Sequence, residues 1–122
     1  KESLSKLKED LEITSSVSFE GHQKTLIGYY RTSDALLATS EYEGFSMAIL
    51  EAAYTGLPII STDVGIASEI GATIVSPDPK IFADEISKPF FKQSYRIPDY
   101  IFTDKQKYLD IYRKNIEAAL PQ

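Results

Sequence analysis

Three short apolar runs, residues 35–38 (ALLA), 58–61 (PIIS) and 73–76 (TIVS), each followed by a segment of helical character, constrain this chain more than any other feature. The uninterrupted run Ala35–Ala38, which stops at Thr39 and Ser40, suits a parallel strand covered on both faces, and the other two read as strands of the same kind. Between the first two runs lies SMAILEAAYT (46–55), rich in helix formers and closed by Gly56 and Pro58, a strong stop signal. A short GIASEI helix follows Gly65, and Asp78–Pro79 forms an N-cap and N1 pair that opens a helix over 79–87. Strand and helix alternating through short connections predict parallel pairing, hence an open α/β sheet.

The flanks extend this pattern. Leu4, Leu7 and Leu11 fall at helical spacing, so residues 2–11 read as an amphipathic helix with one buried stripe. Val17 and Phe19 alternate with polar residues before Gly21, which predicts a further short strand and brings the sheet to about four. Residues 24–32 are apolar at helical positions, with Gly28 weakening a full helix. Residues 88–102, with two prolines and several aromatics, read as an irregular packed connection. A final helix is expected over 103–122, with Thr103 and Gln106 at capping-box spacing and Tyr108, Ile111, Tyr112, Ile116 and Ala119 on one face.

Composition removes whole classes of function. With 13 Lys and Arg against 18 Asp and Glu, the formal charge is 13 − 18 = −5, so a nucleic-acid partner is not expected. The chain has 122 residues, 43% of them hydrophobic and 25% charged, which fits one soluble domain. No apolar run reaches the roughly 20 residues that span a bilayer, and KESLSKLKED lacks the apolar core of a signal peptide. The absence of Cys excludes disulfides and thiolate chemistry, and a single His excludes a His–His metal pair.

In an open parallel sheet, ligands sit beyond the carboxyl ends of the strands, where helix N-termini offer free N–H groups. His22, residues 40–46 and residues 62–68 occupy that edge. In SEYEGFSMAILEAAYTG, Gly44 permits close backbone approach, and the amides of Gly44, Phe45 and Ser46 open a helix suited to phosphate. Glu43 and Glu51 lie eight residues apart. Eight helical residues span about 12 Å, more than the roughly 5 to 9.5 Å between paired glycosidase carboxylates, so the two read as separate grips on a long ligand. GFSMA is one residue short of a nucleophile elbow, but the only His precedes Ser46, against the chain order a hydrolase requires. A loop carboxylate such as Glu43, or Glu69 in a first turn, also suits the positive end of a helix without any ligand.

The same residues carry a resemblance. Glu43, GFSMAIL and Glu51 resemble the Glu, seven residues, Glu signature of retaining GT-B glycosyltransferases, especially the large family 4. Val17, Phe19 and Gly21 are similar to that family's V-x-F-x-G strand, Tyr30 with Ser33, Asp34 and Ala35 to its turn, and EAAYTGLPIISTDVG followed by Glu69 to its next block. The resemblance implies a Rossmann-like, incomplete C-terminal domain spanning 1–122 that binds a nucleoside diphosphate sugar. It gives Glu51 the ribose hydroxyls, Glu43 the donor sugar as candidate catalytic carboxylate, the Gly44, Phe45 and Ser46 amides the diphosphate, and Glu69 a place in the donor site. No metal or other cofactor is implied. Ile66 and Ser46 stand where the family commonly has glycine, and the family's diphosphate-clamping Arg and Lys belong to an earlier portion that nothing here matches.

Function follows as an expectation: the donor-binding part of a retaining hexosyltransferase acting in polysaccharide biosynthesis, inactive as this stretch alone. The acceptor, a glycan, a lipid or a small molecule, would be bound by an N-terminal domain, which also leaves peripheral membrane contact open. The expected location is the cytoplasm, including the inner membrane surface. A noncatalytic nucleotide-sugar module and a GT-B-shaped epimerase are the alternatives.

Overall fold

Strand β2 (Ile59–Ser61) lies between β1 (Leu36–Ala38) and β3 (Thr73–Ile74) in a computed structural model that describes residues 2–90 and 92–98. Both pairings are parallel, with Leu36 opposite Ile59, Ala38 opposite Ser61, and Ile60 opposite Thr73. Parallel neighbours require crossovers, and helices supply them: α3 (Met47–Thr55) joins β1 to β2, and α4 (Ala67–Ile70) joins β2 to β3. Before the sheet come α1 (Glu2–Asp10) and α2 (Ile27–Thr32), and after it α5 (Pro79–Ile86). The chain is an α/β protein with an open parallel sheet flanked by helices, as its alternating pattern predicts.

The core is built where the sequence is most apolar. Ile59, Ile60 and Ser61 are 0%, 2% and 0% exposed, so β2 is covered on both faces. On one face Ile49, Leu50, Ala52 and Ala53 of α3 pack with Ile59, Val64, Ile66, Ala67 and Ile70. Helix α3 ends as its sequence dictates: Gly56 takes the left-handed conformation, φ +71°, and its N–H returns to carbonyls of the last turn. Helix α5 starts as expected too, with Asp78 as N-cap accepting from the Lys80 N–H at 2.8 Å and Pro79 at the first position.

Three expectations need correction. Residues 17–19 form no strand, so among the described residues the sheet has three; a two-residue alternation makes no ladder without a neighbour, and the segment is instead held by Lys8, whose ammonium donates to the Val17 carbonyl at 3.1 Å and sits 5.5 Å from the Phe19 ring centroid. Helix α1 forms, but Leu4, Leu7 and Leu11 are 54%, 50% and 57% exposed, because no described element lies along their stripe. Strand β1 is covered on one face only, with Leu37 43% exposed, since its side of the sheet lies over a groove toward α5. Over 24–32 a full helix does not form, in line with the weak signal there: α2 covers Ile27 to Thr32 and runs through Gly28.

Past α5 the described part of the connection is irregular and packed, as its composition predicts. Gln93 N–H donates to the Gly56 carbonyl at 3.0 Å, and Arg96 N–H to that of Ile70 at 3.3 Å. Tyr95 reaches furthest: its hydroxyl accepts from the Ile59 N–H at 2.9 Å and donates to the Leu57 carbonyl at 3.1 Å. The final helix expected over 103–122 lies outside the described residues.

Two loops at the carboxyl edge of the sheet are locked together. The Phe45 carbonyl accepts from the Ile66 N–H at 3.1 Å, and Gly65, at φ +53°, leaves no room between them: a Cβ there would stand 2.5 Å from the Phe45 oxygen. Ser46, next in line, holds φ +64° without being glycine, and its side chain makes no capping bond to α3.

Urea unfolding should register each of these restraints. Tyr95→Phe is expected to cost about 1 to 3 kcal/mol by orphaning the Ile59 N–H. Gly65→Ala should cost at least about 2 kcal/mol, from left-handed strain and the blocked carbonyl. Ser46→Gly should stabilise by up to about 1 kcal/mol.

Candidate functional site

The edge beyond Ala38 and Ser61 gathers the candidate residues. Thr62, buried at the end of β2, donates its N–H to the Ala38 carbonyl at 3.1 Å and its hydroxyl to the Ser40 carbonyl. Those bonds fix the start of the loop that carries Glu43. Ser40 then turns its hydroxyl onto Glu43, donating to Oε1 at 3.0 Å. The carboxylate is thus oriented from its own loop while staying exposed.

Beside Gly44 lies open space, since a Cβ there would meet nothing within 4 Å, so its backbone is approachable from outside. Its φ is not positive, and no turn geometry demands glycine there. Phe45 is half-buried against the core, and its carbonyl is engaged by Ile66. Ser46 precedes the first turn of α3, where N–H groups have no intrahelical acceptor. Gly44 is thus the open point of a stretch that leads, through the partly buried Phe45 and Ser46, into a nine-residue helix.

Glu51 projects from the second turn of that helix into a cavity of about 430 Å³. Residues 23–27 make one wall, and Tyr30, Glu51 and Tyr54 make the other. The volume is within the roughly 300 to 1,000 Å³ typical of small-molecule sites. Tyr30 donates its hydroxyl to Glu51 Oε2 at 3.2 Å, across the contact between α2 and α3. Burial, then the hydrogen bond and the negative charge of Glu51, push the Tyr30 phenol above its ordinary pKa, so it remains a donor at neutral pH.

Of the sequence candidates only Glu51 lines this cavity. Glu43, Gly44, Phe45 and Ser46, on the loop before α3, do not, nor does Glu69 on α4, nor His22, although its neighbours Gln23 and Lys24 do. The lining residues 23–27, Tyr30 and Tyr54 went unassigned in the sequence, where Tyr30 marked only a turn pattern; what links it to Glu51 is a contact between residues 21 positions apart. Among the described residues no group of three His, Cys, Asp or Glu is placed to hold a metal ion. Nor is any described helix long and apolar enough to cross a membrane.

Comparison with known proteins agrees with this architecture. A family model described as "Glycosyl transferases group 1" matches residues 1–89. The chain is 34% identical to the lipopolysaccharide core biosynthesis mannosyltransferase LpsB of Rhizobium meliloti (strain 1021), over 56% of this chain and 22% of that protein. It is 28% identical to the D-inositol 3-phosphate glycosyltransferase of Corynebacterium urealyticum, over 77% of this chain and 24% of that protein. These matches span about a quarter of the relatives' lengths. With the family match extending across the loops, the cavity and all three strands, the chain belongs to the group 1 glycosyltransferases.

Proposed function

We propose that this chain forms the donor side of a retaining glycosyltransferase, binding a nucleoside diphosphate sugar whose hexosyl unit passes to a glycan, lipid or small acceptor. One observation carries the reading: a carboxylate, Glu51, stands on the wall of a cavity of nucleoside size, one and a half turns inside a helix whose N-terminus opens onto an approachable backbone. A carboxylate accepts hydrogen bonds from vicinal hydroxyls, and a helix N-terminus attracts phosphate. Glu51 holds the ribose, and the backbone of Gly44, Phe45 and Ser46 meets the diphosphate.

Glu43 takes the donor sugar. Its loop follows β1 and precedes the phosphate-facing backbone, so a sugar beyond the diphosphate lies on its side. As the bond to the anomeric carbon breaks, negative charge collects on the leaving diphosphate, where N–H groups stabilise it most. Glu69, on the neighbouring helix, supports the donor from the next loop. The reaction needs no metal in this reading, because amides and hydroxyl contacts supply the grips.

Transfer by this stretch alone is not expected, since the acceptor must be held against the donor with water excluded. An N-terminal acceptor domain provides that, along with any peripheral membrane contact. A role in polysaccharide assembly fits the lipopolysaccharide core biosynthesis relative, and the reading places the protein in the cytoplasm or at the inner membrane surface.

Titration of the full-length protein with UDP-, GDP- and ADP-sugars tests the reading. Saturable binding of one nucleotide is expected, weakened about tenfold or more by Glu51→Ala. A folded protein that binds none of the three, or binds one unchanged after the substitution, overturns it.

A further inference from the structure

Glu51 has a second partner besides its proposed ligand. We propose that Tyr30 is a positioning residue for nucleotide recognition, its hydroxyl holding Glu51 Oε2 so that the rest of the carboxylate faces the ribose hydroxyls. The proposal rests on the reading of Glu51 as the ribose acceptor and adds to it the part that fixes its geometry.

The physical case begins with freedom. A glutamate on an exposed helix face has three rotatable bonds, and ordering a long side chain of this kind costs conformational entropy. Ordering it before the ligand arrives removes that cost from binding. Tyr30 is well placed to do so: it is 7% exposed, packed in the core cluster on α2, and its ring has only two side-chain torsions of its own. The hydroxyl reaches Oε2 at 3.2 Å while the same phenol lines the cavity. One oxygen is thereby tied to the protein, and the carboxylate retains further lone pairs for ligand hydroxyls. A lysine in this position would also tie Glu51 down but would set a cation beside the ribose, whereas phenol orients the carboxylate and leaves its charge intact.

A double-mutant cycle in the full-length protein tests this, with Tyr30→Phe, Glu51→Ala and the pair titrated against UDP, GDP and ADP. Phenylalanine keeps the buried ring, and a thermal melt reports the fold. For whichever nucleotide binds, Tyr30→Phe is expected to weaken affinity about tenfold in the parent and to add nothing in the Glu51→Ala background. The 2′,3′-dideoxy form of that nucleotide, which lacks the hydroxyls, should bind parent and Tyr30→Phe alike. A ratio between the two nucleotides that Tyr30→Phe leaves unchanged overturns the positioning role, and so does a loss that persists in the Glu51→Ala background, which marks Tyr30 as packing alone. If Glu51→Ala itself changes nothing, the ribose reading falls, and this proposal falls with it.

Discussion

The full enclosure of β2 is the constraint on which the rest of the structure depends. Its pleat sends Ile59 and Ser61 to one face and Ile60 to the other, and all three are shielded. A strand with no access to water must find every backbone partner inside the protein. Strand β1 lies along one edge and β3 along the other, and the phenol of Tyr95 pairs with the Ile59 N–H. Because β2 cannot shift, Thr62 at its end is fixed, and through Thr62 so is the Ser40 carbonyl and the loop that presents Glu43. The orientation of an exposed carboxylate thus traces back to an apolar strand.

Local chemistry made much of this fold readable, and the failures share one cause. Helix α3, its stop at Gly56 and the Asp78–Pro79 start of α5 depend on neighbours within a few residues, so sequence determines them almost alone. The runs at 35–38 and 58–61 had the composition of strands and became strands. Whether such a run is covered on both faces is decided elsewhere in the chain. Ile60 is covered and Leu37 is not, although both sit in apolar runs of the same kind. The same holds for the Leu stripe of α1 and for Val17 and Phe19, whose patterns state a need for partners without supplying them.

The candidate site divides along the same line. Glu43, Gly44 and Glu51 stand out as candidates in the sequence because they cluster around a helix start and resemble a family signature. The cavity does not, because its walls come from residues 23–27, α2 and α3, which meet only in the folded chain. Ser46 shows a finer limit. A serine there gave no sign of taking φ +64°, a conformation that glycine adopts at far less cost. Ser46 lies next to the lock in which the Phe45 carbonyl is held by the Ile66 N–H and closed in by Gly65, a contact between residues about twenty positions apart that no local pattern announces.

The partners of the two carboxylates bear on what they are suited to bind. Glu51 accepts from a tyrosine hydroxyl and Glu43 from a serine hydroxyl. Neutral donors of this kind fix an oxygen in space without cancelling its charge, and each carboxylate has lone pairs left over. Bidentate pairing with arginine would engage both oxygens of one carboxylate and offset its charge. Sugar and ribose rings offer many hydroxyls and no positive charge, so a site for them needs acceptors that are oriented but still available. Two carboxylates steered by hydroxyl groups keep both their charge and free lone pairs, and two salt bridges in their place would diminish both.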